Sequence, residues 1–196
     1  MTDERRIDRM AGCAHLGKGM LSLGIVAVAV LCFLNLNRCF FITDRGSNYL
    51  RVRQTVKDLK IVLELYKLDY NRFPLPATST TDLDVSLRSR GPMLQALCGG
   101  DVGGLNPKKI RYMEPQMARN HKNGLWQDGE EWVLSDLWGE PYYIILDTNN
   151  DGRVANPEGG SENQPAMLQA EVLTYSSGPD RDPKTWEDNV CSWRSR

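Results

Sequence analysis

Histidine is scarce in this 196-residue chain: only His15 and His121 occur. Nothing near His121 is placed to orient it, which argues against a Ser-His-Asp or Cys-His nucleophile. Cysteine is also sparse and scattered, at positions 13, 32, 39, 98 and 191. No C-x-x-C pair occurs, so a zinc knuckle and a thioredoxin-like centre are excluded. Cys98 and Cys191 leave two readings open, a disulfide if that region lies outside the cytoplasm, or a pair of free thiols. A phosphate-binding glycine loop is missing too, because "CGGDVGG" has neither a preceding strand nor a following Lys-Ser/Thr. Charge of one sign does not dominate: 24 Lys and Arg stand against 25 Asp and Glu, for a net charge of -1. With no long basic block, nucleic acid is not expected as a partner. Little in this inventory suggests an enzyme.

One long apolar run is present. From Gly19 the chain reads "GMLSLGIVAVAVLCFLNL" without a charge, at the low end of the roughly 17–25 residues that span a bilayer as helix. Apolar character resumes after Asn37-Arg38 with "CFFI". The expected membrane helix is therefore 19–42, preceded by a cytoplasmic leader over 1–18. The mixed charge of that leader, and the lack of a small-residue cleavage pattern after the run, separate it from a removed secretory signal. Arginines flank the run on both sides, so the positive-inside rule alone is nearly balanced.

After the run, Val52, Val56, Leu59, Leu63, Tyr66 and Tyr70 recur at spacings of four and three, one face of a helix. That face should cover a sheet. An amphipathic helix is expected over 43–73, ending near Asn71 because Pro74 disfavours helical geometry at Phe73. Residues 74–196 then form a globular domain. Within it "PLPATSTTDLDV" reads as loop, "GPMLQALCGG" as a short helix stopped by glycine, and Ile110–Met113 as a short strand. Residues 114–135 carry little pattern and read as a surface excursion. "PYYIILD" and "AEVLTYSS" are the better strands, and "GPDRDPKTWEDNVCSW" is mostly loop. The fold class is α+β, a long N-terminal helix on a small antiparallel sheet with a long C-terminal loop.

Two acidic loops could hold a hard cation. "DTNNDGRVANPE" carries Asp147, Asn149, Asp151, Gly152 and Glu158 at the spacing of a calcium loop. The strand before it and "GGSENQP" after it exclude an EF-hand, which needs helices on both sides. A tight turn at Asn150-Asp151-Gly152, or a calcium site without the flanking helices, remains open. "SSGPDRDPKTWEDNV" offers Asp180, Asp182, Asp188 and Asn189 with the carbonyls of Ser176 and Ser177. Calcium takes six to eight such oxygens, and a bound cation would let an otherwise self-repelling loop order. Trp186 and Trp193 nearby are large groups that normally seek burial.

Several of these stretches together resemble one family. "LELYKLDYNRFPLP", "DLWGEPYYI", "LDTNNDGRV" and "TYSSGPDRDPKTWEDNVCSW" are similar, in order, to motifs of the major pseudopilins (protein G) of type II secretion systems, in the type IV pilin-like superfamily. Leu137 and Glu140 stand where that family usually carries Pro and Asn. The resemblance implies a pilin-like subunit of a secretion filament, a structural role in protein export and no enzymatic activity. It implies a single inner-membrane pass, with the N-terminus cytoplasmic and the C-terminal domain periplasmic. Partners would be other pseudopilin subunits through the N-terminal helix, membrane lipid, and a leader peptidase acting between Gly19 and Met20, with methylation of the new N-terminus. Calcium would be held by Asp180, Asp188 and Asn189 with the carbonyls of Ser176 and Ser177. Asp147, Asn149, Asp151 and Glu158 form a second candidate. Met20 to Tyr70 matches the family's helix, roughly 75 Å at 1.5 Å per residue. Gly24, however, stands where the family carries a glutamate used in assembly. That substitution also fits a permanently anchored membrane protein that uses the domain as a binding or sensing module.

Overall fold

The computed structural model describes residues 49–76, 83–159 and 164–194. The chain divides into two compact units, Met1–Ser47 and Asn48–Arg196, and all described residues belong to the second. The leader, the 19–42 run, the Gly19-Met20 junction and Gly24 lie outside the described residues. Among the described residues no helix is long and apolar enough to cross a membrane.

Helix α1 occupies 49–70. Val52, Val56, Leu59, Leu63 and Tyr66 are all buried, as their spacing requires, and Val62 widens the stripe. Asn71 takes a left-handed conformation with φ 51°, which asparagine tolerates better than most residues, and this ends the helix. Phe73 then turns back into the cluster formed by Val62, Leu63 and Tyr66.

The stripe covers a four-stranded antiparallel sheet in the order β1 (Val85–Arg88), β4 (Tyr143–Leu146), β7 (Val172–Ser176), β8 (Val190–Cys191). Period-two alternation gives each strand two faces. Ile144, Leu146 and Val172 meet α1. Ile145, Leu173, Tyr175 and Cys191 face the other way, onto Val154, Trp186 and Trp193. Both faces are covered, so every residue of β7 is buried. Thr174, on the helix side, donates its hydroxyl to the Val56 carbonyl at 2.6 Å, tying sheet to helix where neither group meets water.

Helix α2 (Pro92–Leu97) starts with proline in its first turn and buries Met93, Leu94, Ala96 and Leu97, in agreement with the expectation for "GPMLQALCGG". Three expectations need correction. Val85–Arg88, read as part of a loop at its start, is the edge strand β1 pairing with β4. Ile110–Met113 forms no strand: the N–H groups of Tyr112 and Met113 both donate to the Leu97 carbonyl, at 2.9 and 3.2 Å, so the segment closes the end of α2. Residues 114–135 are no mere excursion. They contain the hairpin β2 (Gly124–Asp128) and β3 (Glu131–Ser135), which buries Leu125, Val133 and Leu134. Its two-residue reversal starts with Gly129 at φ 62°, the conformation that favours glycine. A small ribbon, β5 (Arg153–Ala155) with β6 (Met167–Gln169), completes the unit.

Buried polar groups hold the loops. Asn106 is fully buried; its amide donates to the carbonyls of Ala96 and Ile110, each at 2.8 Å. Its Oδ1 accepts from the Ile110 N–H and the Tyr70 hydroxyl. One side chain thereby satisfies groups from α1, α2 and the loop that follows α2, which buried backbone requires.

Candidate functional site

The C-terminal loop leaves β7 at Ser176 and returns as β8 at Val190. Trp186 and Trp193 lie over Tyr175 on the outer face of the sheet, with ring centroids 5.3 and 5.8 Å from it. Both indoles are half-buried, in line with the expectation that they seek cover. They hold the loop against the domain through apolar contact.

At the root of the loop stands Asp136, the first residue of "DLWGEP". Its side chain is fully buried. Oδ1 accepts the N–H groups of Trp138, Gly139 and Glu140, each at 2.9 Å. Oδ2 accepts the Ser176 hydroxyl at 2.6 Å, and Ser176 Oγ in turn accepts the Gly178 N–H at 3.2 Å. Burial pushes the Asp136 carboxyl above the usual carboxylate range, while its hydrogen-bond donors pull it back down. One carboxylate thus shapes the 136–140 turn and aims the start of the loop. Sequence reasoning passed over Asp136 as a site residue, although it heads a motif rich in turn formers.

Within the loop, Ser177, Asp180, Asp188 and Asn189 are brought together. Gly178, at φ 70°, passes so close to Asp188 that a Cβ there would lie 2.6 Å from the Asp188 carbonyl oxygen. The Asp180 N–H points at Asp188 Oδ2 from 3.4 Å, a long contact. Asn189 uses its amide nitrogen on the Pro183 carbonyl at 3.1 Å. Three buried oxygens here, Ser177 Oγ, Asp188 Oδ1 and Asn189 Oδ1, have no hydrogen-bond partner among the described residues. Buried polar atoms are normally satisfied, and a carboxylate oxygen left alone is costly. An all-oxygen set of carboxylate, amide and hydroxyl suits a hard cation such as calcium. Ser176, in contrast, commits its hydroxyl to Asp136, which leaves only its carbonyl for such a role. Asp182 accepts the Lys184 N–H at 2.9 Å and forms a local turn.

The other acidic loop is arranged differently. Asp147 is buried and both its oxygens are occupied, Oδ1 by the Asp151 N–H at 3.2 Å and Oδ2 by the Gly152 N–H at 2.9 Å. Asn149 Oδ1 accepts the Asp151 N–H at 3.0 Å, and Asp151 Oδ1 accepts the Arg153 N–H at 2.8 Å. With Asn150 at φ 56° and Gly152 at φ 74°, this is a tight turn closed by its own side chains. Glu158 lies in an ion pair with Arg194 through both guanidinium and carboxylate forks, so it is engaged away from Asp147, Asn149 and Asp151. Among the described residues, no group of three or more His, Cys, Asp and Glu side chains is arranged to hold a metal. The C-terminal candidate instead mixes carboxylates with amide and hydroxyl oxygens.

Cys98 and Cys191 are free thiols. They sit in different clusters, Cys98 beside Leu94 and Cys191 beside Tyr175. Burial pushes the Cys98 thiol up to about 11 and the Cys191 thiol up to about 12.

No known family model, curated protein or solved structure matches the chain.

Proposed function

We propose that this chain is a pseudopilin-like subunit of a type II secretion or type IV pilus-like filament, with a structural role in protein export. In this reading residues 19–42 anchor it in the inner membrane and the 74–196 domain lies outside the cytoplasm. Its apolar N-terminal helix packs with those of other subunits. One observation carries most weight. Two of the stretches that resemble the family, "DLWGEPYYI" and "TYSSGPDRDPKTWEDNVCSW", meet through the Asp136–Ser176 hydrogen bond at the root of the C-terminal loop. Support also comes from the apolar stripe of α1 lying on an antiparallel sheet.

Calcium fits the same reading. Asp180, Asp188 and Asn189 would hold it with the Ser177 hydroxyl and the carbonyls of Ser176 and Ser177. Bound there, it would neutralise the loop and satisfy its buried oxygens, a stabilising role.

Gly24 favours a second reading, a permanently anchored module that binds or senses rather than assembles. The mass of the N-terminus of protein taken from its native membrane separates the two. A chain starting at Met20, recovered in sheared filaments, supports the subunit. An uncut N-terminus with no filament fraction would replace it with the module.

A further inference from the structure

Arg51, Arg119 and Lys122 converge on a cavity of about 400 Å3, lined also by Gln116, Asn123 and Leu137. Among the described residues no carboxylate lines it. Arg119 and Lys122 come from a tight reversal in which Asn120 and His121 both take left-handed conformations, φ 51° and 61°. The two flanking residues exchange backbone hydrogen bonds at 3.1 Å in each direction, so their side chains start from directly opposed positions. Like charges placed this way repel. Among the described residues, none of the three cations forms an ion pair. The reversal is held firmly: the Asn123 N–H donates to the Asp136 carbonyl at 2.6 Å, and the Lys122 stem passes close over Gly139.

Three cations around one concavity, none in an ion pair among the described residues, suit an anion, and arginine forks match phosphate oxygens. Apolar groups border it. Met117 and Leu137 line the cavity, and Met117 is 63% exposed. Cations beside exposed apolar side chains suit a bilayer surface better than a free anion. The chain from residue 42 to Arg51 reaches at most roughly 30 Å even when extended, which keeps the cavity within reach of headgroups. We propose that this cavity binds the phosphate of an anionic lipid headgroup. The inference rests on the reading of 19–42 as a membrane span.

The test uses the full chain in detergent micelles, with native mass spectrometry of retained phosphatidylglycerol or phosphatidylcholine, and vesicle flotation in parallel. Wild type should retain phosphatidylglycerol at roughly tenfold lower lipid concentration than Arg119→Gln/Lys122→Gln, with phosphatidylcholine indifferent to the change. Arg51→Gln, on a separate element, should shift retention the same way, and no variant should melt below wild type, since loss of the Arg119–Lys122 repulsion does not weaken the fold. Equal retention with both proteins floating would overturn this inference alone. Failure of wild type to float would overturn the membrane reading with it. Inorganic phosphate that binds wild type while the lipid does not would assign the site to a free anion and overturn the lipid.

Discussion

Asp136 and Ser176, 40 positions apart in sequence, share a buried 2.6 Å hydrogen bond donated by the serine hydroxyl. The same carboxylate accepts three backbone N–H groups of its own turn. Asp136→Ala would strand all four donors, and is expected to cost about 3 kcal/mol in urea unfolding. Asp136→Asn keeps an oxygen for the turn and should cost less. The pH dependence distinguishes them further. Because the folded-state carboxyl is raised, the folded chain holds the proton more tightly than the unfolded chain does. This contribution to stability is fully present below the ordinary aspartate value of ~4 and is lost as pH rises through the raised value. The wild-type minus Asp136→Asn stability difference should therefore fall as pH rises from ~4. A difference that rises with pH would reverse the assignment.

Calcium should stabilise the domain through the C-terminal loop. At free calcium 100 times its dissociation constant the gain is about 2.7 kcal/mol, or roughly 5–10 °C in melting temperature for a chain of this size. Asp188→Asn should abolish that gain. In chelator it should be at least as stable as wild type, since it removes a charged oxygen that has no hydrogen-bond partner among the described residues. Glu158→Gln should keep the calcium response, because Glu158 serves Arg194. A response lost in Glu158→Gln and retained in Asp188→Asn would move the site to the other loop.

The two faces of α1 should behave oppositely. Leu63 is fully buried against the sheet, and Leu68 is 81% exposed. Leu63→Ala is expected to cost about 3 kcal/mol, whereas Leu68→Ala should stay within about 0.5 kcal/mol. Thermal or urea unfolding of the two variants reads this directly.

Peptide mapping without reductant should recover Cys98 and Cys191 as separate thiols. With Cys98 near 11 and Cys191 near 12, little reactive thiolate exists at neutral pH. Alkylation of these two should therefore be slow in the folded chain and fast in denaturant. A peptide linking them would refute the free-thiol assignment.

Sequence alone determined the elements whose pattern is local. The 4-and-3 spacing from Val52 to Tyr66 can bury only one helical face, and strands 143–146 and 172–176 are dense in residues that suit a pleated, covered surface. The end of α1 at "NRFP" and the stop of α2 at Gly99-Gly100 followed from backbone sterics. The hairpin over 124–135 was hidden because its buried residues, Leu125, Val133 and Leu134, do not alternate with exposed ones along either strand. Edge strand β1 carries only the mixed segment "VSLR", and acquires its identity from pairing with β4. Only the tertiary structure decided what the acidic residues do. Asp147, Asp136 and Asp188 are alike as letters. Asp147 spends both oxygens on the turn that follows it, and Asp136 spends its own on a turn and on a serine from a strand far along the chain. Asp188 keeps one buried oxygen that no described residue reaches. Hydrogen-bond partners across long sequence separations set those roles, and no local pattern encodes them.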